Sequence, residues 1–181
     1  VSNGNIHKQL ENQGNITSLA FSPDNTLLAV GLESDQANIW NLTTETITYT
    51  LGGVSGYGST SVEFSTDGTW LALDIEDNNV QLNADDVQVW KTDNWAPLFT
   101  LTAIGEGHNS FTDLSISSDN RLLAVTAFDD LTRVWNITTR EIEYEFILPK
   151  RDSILTSTDF SPDNKFLATS RRDGSVGVWN L

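Results

Sequence analysis

Apolar and polar side chains alternate along this chain in short runs, and each run ends at a turn signal. In Ser175-Val176-Gly177-Val178-Trp179 the apolar side chains fall on alternate positions. A period of two places successive side chains on opposite faces of an extended strand. Phe166-Leu167-Ala168-Thr169-Ser170 reads as the strand before it, and Arg171-Arg172-Asp173-Gly174 turns the chain between the two. Upstream, Ser153–Phe160 alternates loosely and closes on an aromatic residue. Ser161-Pro162-Asp163-Asn164 then reverses direction, with Pro pre-set at its second position and Asn tolerant of the left-handed region. No segment carries a helical apolar period, so the pattern predicts strands and turns only.

The same grammar recurs upstream. Ser22-Pro23-Asp24-Asn25, Ser65-Thr66-Asp67-Gly68 and Ser117-Ser118-Asp119-Asn120 occupy the first turn. Leu28-Ala29, Leu71-Ala72, Leu123-Ala124 and Leu167-Ala168 open the second strand, and Trp40, Trp90, Trp135 and Trp179 close the third. Fourth strands follow at Thr46–Leu51, Ala96–Leu101 and Glu141–Phe146. The tryptophans are 50, 45 and 44 residues apart. A period of that length means one supersecondary unit used repeatedly, each burying its faces against its neighbours. The prediction is an all-β array of four units, about 15–51, 58–102, 108–147 and 153–181, forming one domain over 1–181.

These turns, small-residue strands and closing tryptophans together resemble the WD-repeat family of β-propellers, over nearly the whole chain. The resemblance implies four-stranded antiparallel blades around a central channel and protein or peptide partners; a non-catalytic platform is expected because no acids, bases or metal ligands cluster, with an enzyme sited in the channel as the rival reading. The family's Trp-Asp pair reads here as Trp40-Asn41, Trp135-Asn136 and Trp179-Asn180, with Trp90-Lys91 further removed. The family also pins its blades with hydrogen-bonded His, Ser or Thr, Asp and Trp. Unit three offers His108, Asp129 and Trp135 but has Val125 in the hydroxyl position; unit four offers Thr169, Asp173 and Trp179 without a His. Ser34 and Ala84 stand in the Asp position of the first two units. With no complete set, packing is expected to carry most of the rigidity.

The last unit stops after its third strand, at Trp179-Asn180-Leu181. By the same resemblance, residues 4–10 are expected to supply its fourth strand and close the propeller. Four blades are few, and three arrangements fit: a small self-closed ring, a homodimer completing an eight-bladed ring, or half of a longer chain. A start at Val1, without Met or a signal pattern, reads as a processed or excised segment or as the ordered part of something longer.

Composition narrows the chemistry. Of 181 residues none is Cys, which excludes disulfides, thiolate metal sites and cysteine nucleophiles. No stretch reaches the roughly 18 consecutive apolar residues of a membrane helix. The net charge of −15 repels phosphate backbones, so neither nucleic acid nor membrane is an expected partner.

Several residues could carry function. His108 with Asp129 forms two-thirds of a hydrolytic triad, although the blade-pinning role fits their positions better. The Gly-rich run from Gly52 to Gly58 lacks the Lys-Ser/Thr ending of a phosphate loop and reads as a connection between blades. Unit two carries an insertion: 18 residues separate Ala72 from Trp90, against 11 at the matching positions elsewhere. Its acids Glu76, Asp77, Asp85 and Asp86 form a candidate finger that contacts a partner or loosely holds Ca²⁺, though the spacing does not match an EF-hand, or else a tolerated surface insertion. Lys150, Arg151, Arg171 and Arg172 are expected on the same face as a candidate anion or acidic-peptide site, or as charge balance for nearby acids. No cofactor or metal site is expected. Asn15, Asn41 and Asn136 open glycosylation sequons, weak signals without a secretion leader.

Overall fold

The computed structural model describes residues 4–6, 8–11, 14–52, 60–76, 85–102, 111–127, 129–148 and 154–181, with the side chains of Ile75, Glu76, Asp85 and Phe111 outside that set. Blade one comprises β1 (Ile16–Phe21), β2 (Leu27–Leu32), β3 (Gln36–Asn41) and β4 (Thr46–Gly52). Blade two comprises β5 (Val62–Phe64), β6 (Trp70–Glu76), β7 (Asp85–Lys91) and β8 (Pro97–Thr102). Blade three comprises β9 (Phe111–Ile116), β10 (Leu122–Ala127), β11 (Leu131–Asn136) and β12 (Glu141–Ile147). Blade four comprises β13 (Leu155–Phe160), β14 (Phe166–Arg171) and β15 (Val176–Asn180). Each sheet is an antiparallel meander, and there is no helix among the described residues. The first strands β1, β5, β9 and β13 touch in sequence, which places them innermost. The fold is a four-bladed β-propeller.

Why the Leu-Ala pair recurs is visible in the core. Adjacent strand residues face opposite ways, so each pair serves two neighbours. Leu71 packs toward blade one and Ala72 toward blade three; Leu123 packs toward blade two and Ala124 toward blade four. The bulky residue fills one seam, and the small one lets the next sheet approach. Full burial of each such leucine contributes about 2 kcal/mol.

Three seams result. Ala29, Ala37, Ile39 and Leu51 meet Val62, Phe64, Leu71 and Leu73 in the first. Ala72, Val87, Val89 and Leu101 meet Leu114, Ile116, Leu123 and Val125 in the second. In the third, Leu122, Ala124 and Val134 meet Phe160, Leu167 and Trp179, with Phe146 stacked on Trp179 at 4.8 Å. At the first seam a Cβ on Gly31 would lie 2.4 Å from Ser18 Oγ and 2.6 Å from the Thr60 carbonyl, so this approach needs glycine. Thr17 and Ser18 hydroxyls donate to that same carbonyl at 2.6 and 2.7 Å.

Asparagine in place of the family's Asp has a clear local role. Asn41 Oδ1 accepts from the N–H groups of Thr43 and Thr44, both at 2.9 Å, and Asn136 Oδ1 does the same with Thr138 and Thr139. The turn then needs a left-handed residue, supplied by Glu45, Trp95 and Arg140 with φ of 58°, 56° and 62°. The ladder slips at Ile39/Trp40, Val89/Trp90 and Val134/Trp135, a bulge repeated in three blades.

The expected fourth strand of blade four is corrected by the structure. Among the described residues that sheet is β13-β14-β15, and residues 4–6 and 8–11 join no ladder. They lie instead against blade one. Leu10 packs with Val30, Leu32 and Trp40, and the Lys8 ammonium pairs with Glu45. The physical reason is the apolar outward face of blade one, which draws Leu10 more strongly than the open edge of β15 draws backbone.

Candidate interaction surface

The blades present two rims. The lower carries the turns from first to second strand; the upper carries those from second to third strand and the connections between blades.

The lower rim is built by one device used four times. Ser22, Ser65, Ser117 and Ser161 donate Oγ–H to Asp24, Asp67, Asp119 and Asp163 at 2.6, 2.8, 2.6 and 2.7 Å. The same serine oxygens accept from the N–H of Leu27, Trp70, Leu122 and Phe166. Serine donation and backbone N–H groups hold the Asp24, Asp119 and Asp163 carboxyls below their usual range, Asp163 at about 2. At Asp67 partial burial opposes the shift, and the Thr69 and Ser65 donors outweigh it. The last turn residue is left-handed: Asn25, Gly68, Asn120 and Asn164.

Those asparagines also latch one blade to the next. Thr66 N–H and Oγ1 donate to Asn120 Oδ1 at 2.7 and 2.9 Å, and Ser118 N–H and Oγ donate to Asn164 Oδ1 at 2.9 and 3.0 Å. The first seam has Pro23 for the donor and Gly68 for the acceptor, so no such latch forms. A cleft of about 440 Å³ opens there, lined by Pro23, Asp24, Leu27, Phe64, Asp67 and Thr92.

The described part of the upper rim repeats less: Asp129 and Asp173 close their turns alike on the Leu131 and Ser175 N–H groups, but the side chains around them differ. Asp129 Oδ2 accepts from Arg133 Nη2 at 2.6 Å, and the next residue, Asp130, lies 3.3 Å from Arg171 Nη2 on blade four. Arg171 Nη2 also donates to the Leu148 carbonyl at 3.0 Å. Two neighbouring acids thus hold two arginines, one within blade three and one across the third seam. Arg171 is 3% exposed, so it is not the surface cation the sequence suggested; Arg172 beside it is exposed. Sequence reading could not find this, because the spacing of Arg171 from Asp130 reveals nothing about their approach.

Several expected site residues are placed only in part. Glu76 and Asp85 are the last register pair of β6 and β7, flanking the inserted loop, and Asp86 is half-buried on β7. Asp77, His108, Lys150 and Arg151 lie outside the described residues, as does His7. Asp129 is engaged by Arg133 and by the Leu131 N–H, whatever His108 adds.

Of the pinning groups, blade four forms one link: Trp179 Nε1 donates to Thr169 Oγ1 at 3.0 Å. Asp173 accepts from the Ser175 N–H and hydroxyl. The register equivalents of Thr169 are Val30, Leu73 and Val125, which offer no acceptor. Trp90 Nε1 is accordingly enclosed without a hydrogen-bond partner among the described residues, while Trp40 and Trp135 are buried in the core.

Near the axis, Glu63 sits between β5 and β9. Burial and the Asp113 and Asp159 charges push its carboxyl up to about 8, opposed by one N–H from Ile116. Glu63 is therefore largely protonated at neutral pH. Among the described residues no group of three His, Asp or Glu has metal-binding geometry, and no helix is long and apolar enough to cross a membrane.

Repeated antiparallel blades and a shared lower turn define a β-propeller. The profile of the family described as WD domain, G-beta repeat matches residues 4–41, 95–136 and 145–180. The chain belongs to the WD-repeat family. It is 27% identical over 176 residues to the Periodic tryptophan protein 2 homolog of Schizosaccharomyces pombe, an alignment covering 93% of this chain. The chain spans 19% of the length of that relative. WD-repeat propellers generally act as protein-interaction scaffolds and are generally non-catalytic.

Proposed function

We propose that this chain is a non-catalytic platform that binds a protein or peptide through its upper rim. The supporting observation is the contrast between rims: the lower repeats one Ser–Asp turn four times, while the described upper turns of blades one, three and four share a left-handed residue but differ in the side chains they present. Exposed Arg172 and the acids flanking the inserted loop are the chemistry offered, with Lys150 and Arg151 as further members of the cationic group. The net charge of −15 sets the proposal against nucleic acid. Affinity capture tests it. Replacing Arg172, Lys150 and Arg151 together by Glu should remove an acidic partner without unfolding the domain. Unchanged capture would discard the cationic group as the contact.

A second reading is favoured by the lower-rim cleft at the first seam, where Asp24 and Asp67 flank Leu27 and Phe64. Such a cleft suits the side chain of a basic residue on an extended peptide. Thr92→Trp, which fills it, should abolish binding in this reading and leave upper-rim binding intact.

A further inference from the structure

The lower-rim cleft at the first seam differs from its counterparts in two ways. The first is the latch. Asn120 and Asn164 close it at the other two seams, whereas Pro23 and Gly68 leave the first seam open. The second lies two residues after each turn aspartate. Blades three and four carry Arg121 and Lys165 there; blades one and two carry Thr26 and Thr69. Lys165 Nζ stands 3.1 Å from Asp163 Oδ2, and Arg121 Nε stands 4.0 Å from Asp119 Oδ2. The first seam is the one whose two turns bring no cation of their own. Among the described residues no ion pair reaches Asp24 or Asp67. Both carboxyls titrate below their ordinary range, so both are charged at neutral pH.

The spare capacity of these carboxylates is narrow. Asp24 Oδ1 accepts from the Ser22 hydroxyl and from the N–H and hydroxyl of Thr26; Asp67 Oδ1 accepts from the same groups of Ser65 and Thr69. Oδ2 is the atom left over. At Asp67 it takes no hydrogen bond among the described residues, and at Asp24 it has only a share of the Thr26 hydroxyl at 3.0 Å. A guanidinium binds a carboxylate best as a fork, two N–H donors on two oxygens. With Oδ1 spent on the turn, the fork meets one oxygen. An ammonium is a point charge with three donors and needs one oxygen at a time. Blades three and four show this contrast within the molecule. Lys165 reaches its Oδ2, while Arg121 holds off and gives Nη1 to Glu143 at 3.0 and 3.2 Å. The remaining walls suit a hydrocarbon stem: Phe64 is buried, Leu27 is half-buried, and Pro23 adds a third apolar side. Lysine lays its stem along apolar surface and keeps its charge at the edge.

We infer that this cleft is a lysine site: an extended segment of a partner protein lays one lysine stem on Leu27 and Phe64 and sets its ammonium against Asp24 and Asp67 Oδ2. This rests on the second reading above, in which the cleft takes a basic residue, and adds which one. Both walls and the seam beneath them belong to blades one and two of this chain. The net charge of −15 draws a basic segment toward them.

The test is an NMR titration of the full chain at neutral pH, following the amide signals of Thr26 and Thr69. The probes are short capped Gly-Ser peptides whose central residue is lysine, arginine or norleucine. They are added to about 10 mM, because one side chain with exposed ion pairs binds in the millimolar range. The lysine peptide should saturate the shifts, with arginine about threefold weaker and norleucine about tenfold weaker. Thr69→Lys rebuilds the blade-four ion pair on Asp67 and should weaken the lysine peptide about fivefold. Asp67→Asn keeps the turn acceptor, loses the charge and should act likewise; it decides the matter if circular dichroism shows the first variant unfolded. Equal affinity for arginine, lost in Thr92→Trp, overturns the lysine assignment and leaves the second reading standing. No shift with either basic peptide overturns both. Norleucine binding as tightly as lysine would make the cleft a merely apolar pocket, and lysine affinity unchanged in the variants would put the contact elsewhere; either result overturns the inference.

Discussion

The lower and upper rims are made from the same strands and yet obey different rules. Below, a serine hydroxyl, an aspartate and a backbone N–H close the same turn in every blade, and two of three seams add an asparagine latch. Above, the corresponding turns hold an ion-paired Asp129 and Asp130, an exposed Arg172 and an insertion flanked by acids. The lower rim specifies the fold, because each turn needs only its own few residues. The upper rim is free to vary, because its turns join strands already held in register from below.

The largest effect should come from the upper-rim contact that bridges two blades. Arg171→Ala removes a buried guanidinium from Asp130 and the Leu148 carbonyl and should cost about 2–4 kcal/mol in urea unfolding. A cost near zero would return Arg171 to the list of surface contacts. Next is Glu63, whose folded carboxyl titrates far above its unfolded value of 4.5. The folded state then holds a proton that the unfolded state releases, so stability is greatest below about pH 4.5 and falls as pH rises toward 8. Glu63→Gln should flatten that slope and stabilise the domain at pH 8 by about 1–3 kcal/mol. Unchanged pH dependence would mean the carboxylate is solvated.

The four turn aspartates act in the opposite sense. Their folded carboxyls are depressed, so their contribution is present above about pH 4 and fades as pH falls toward 2. Ser117→Ala, which takes the donor from Asp119 and the acceptor from Leu122, should cost about 1–2 kcal/mol and weaken the acid limb of the profile. Thr169→Val leaves the Trp179 indole unpaired and should cost about 1 kcal/mol, seen as a lower urea midpoint at unchanged slope. Arg172→Glu comes last, within about 0.5 kcal/mol of wild type, with its effect confined to binding.

Most of the architecture was legible in the sequence because its determinants are local. Ser-x-Asp-Asn, Leu-Ala and the closing Trp each specify something within five residues of themselves: a turn, two seam faces, a strand end. The fourth strand of blade four was misread because strand-like character does not say which edge a segment prefers. The exposed apolar face of blade one competed for Leu10 and won. Arg171 and Glu63 were missed for a related reason. Each is defined by groups on another blade (Asp130 for one, Asp113 and Asp159 for the other), and their meeting depends on how sheets stack. The Asp129 and Trp135 positions pointed to a pinning network; Asp129 meets Arg133, and in blade four Trp179 donates to Thr169.

Among the described residues three apolar seams join the four blades, so blades two and three pack on both sides and blades one and four on one. Opening an end sheet breaks one set of contacts, and opening an interior one breaks two. Amide protons on β6 and β10 should therefore outlast those on β2 and β14 in deuterium.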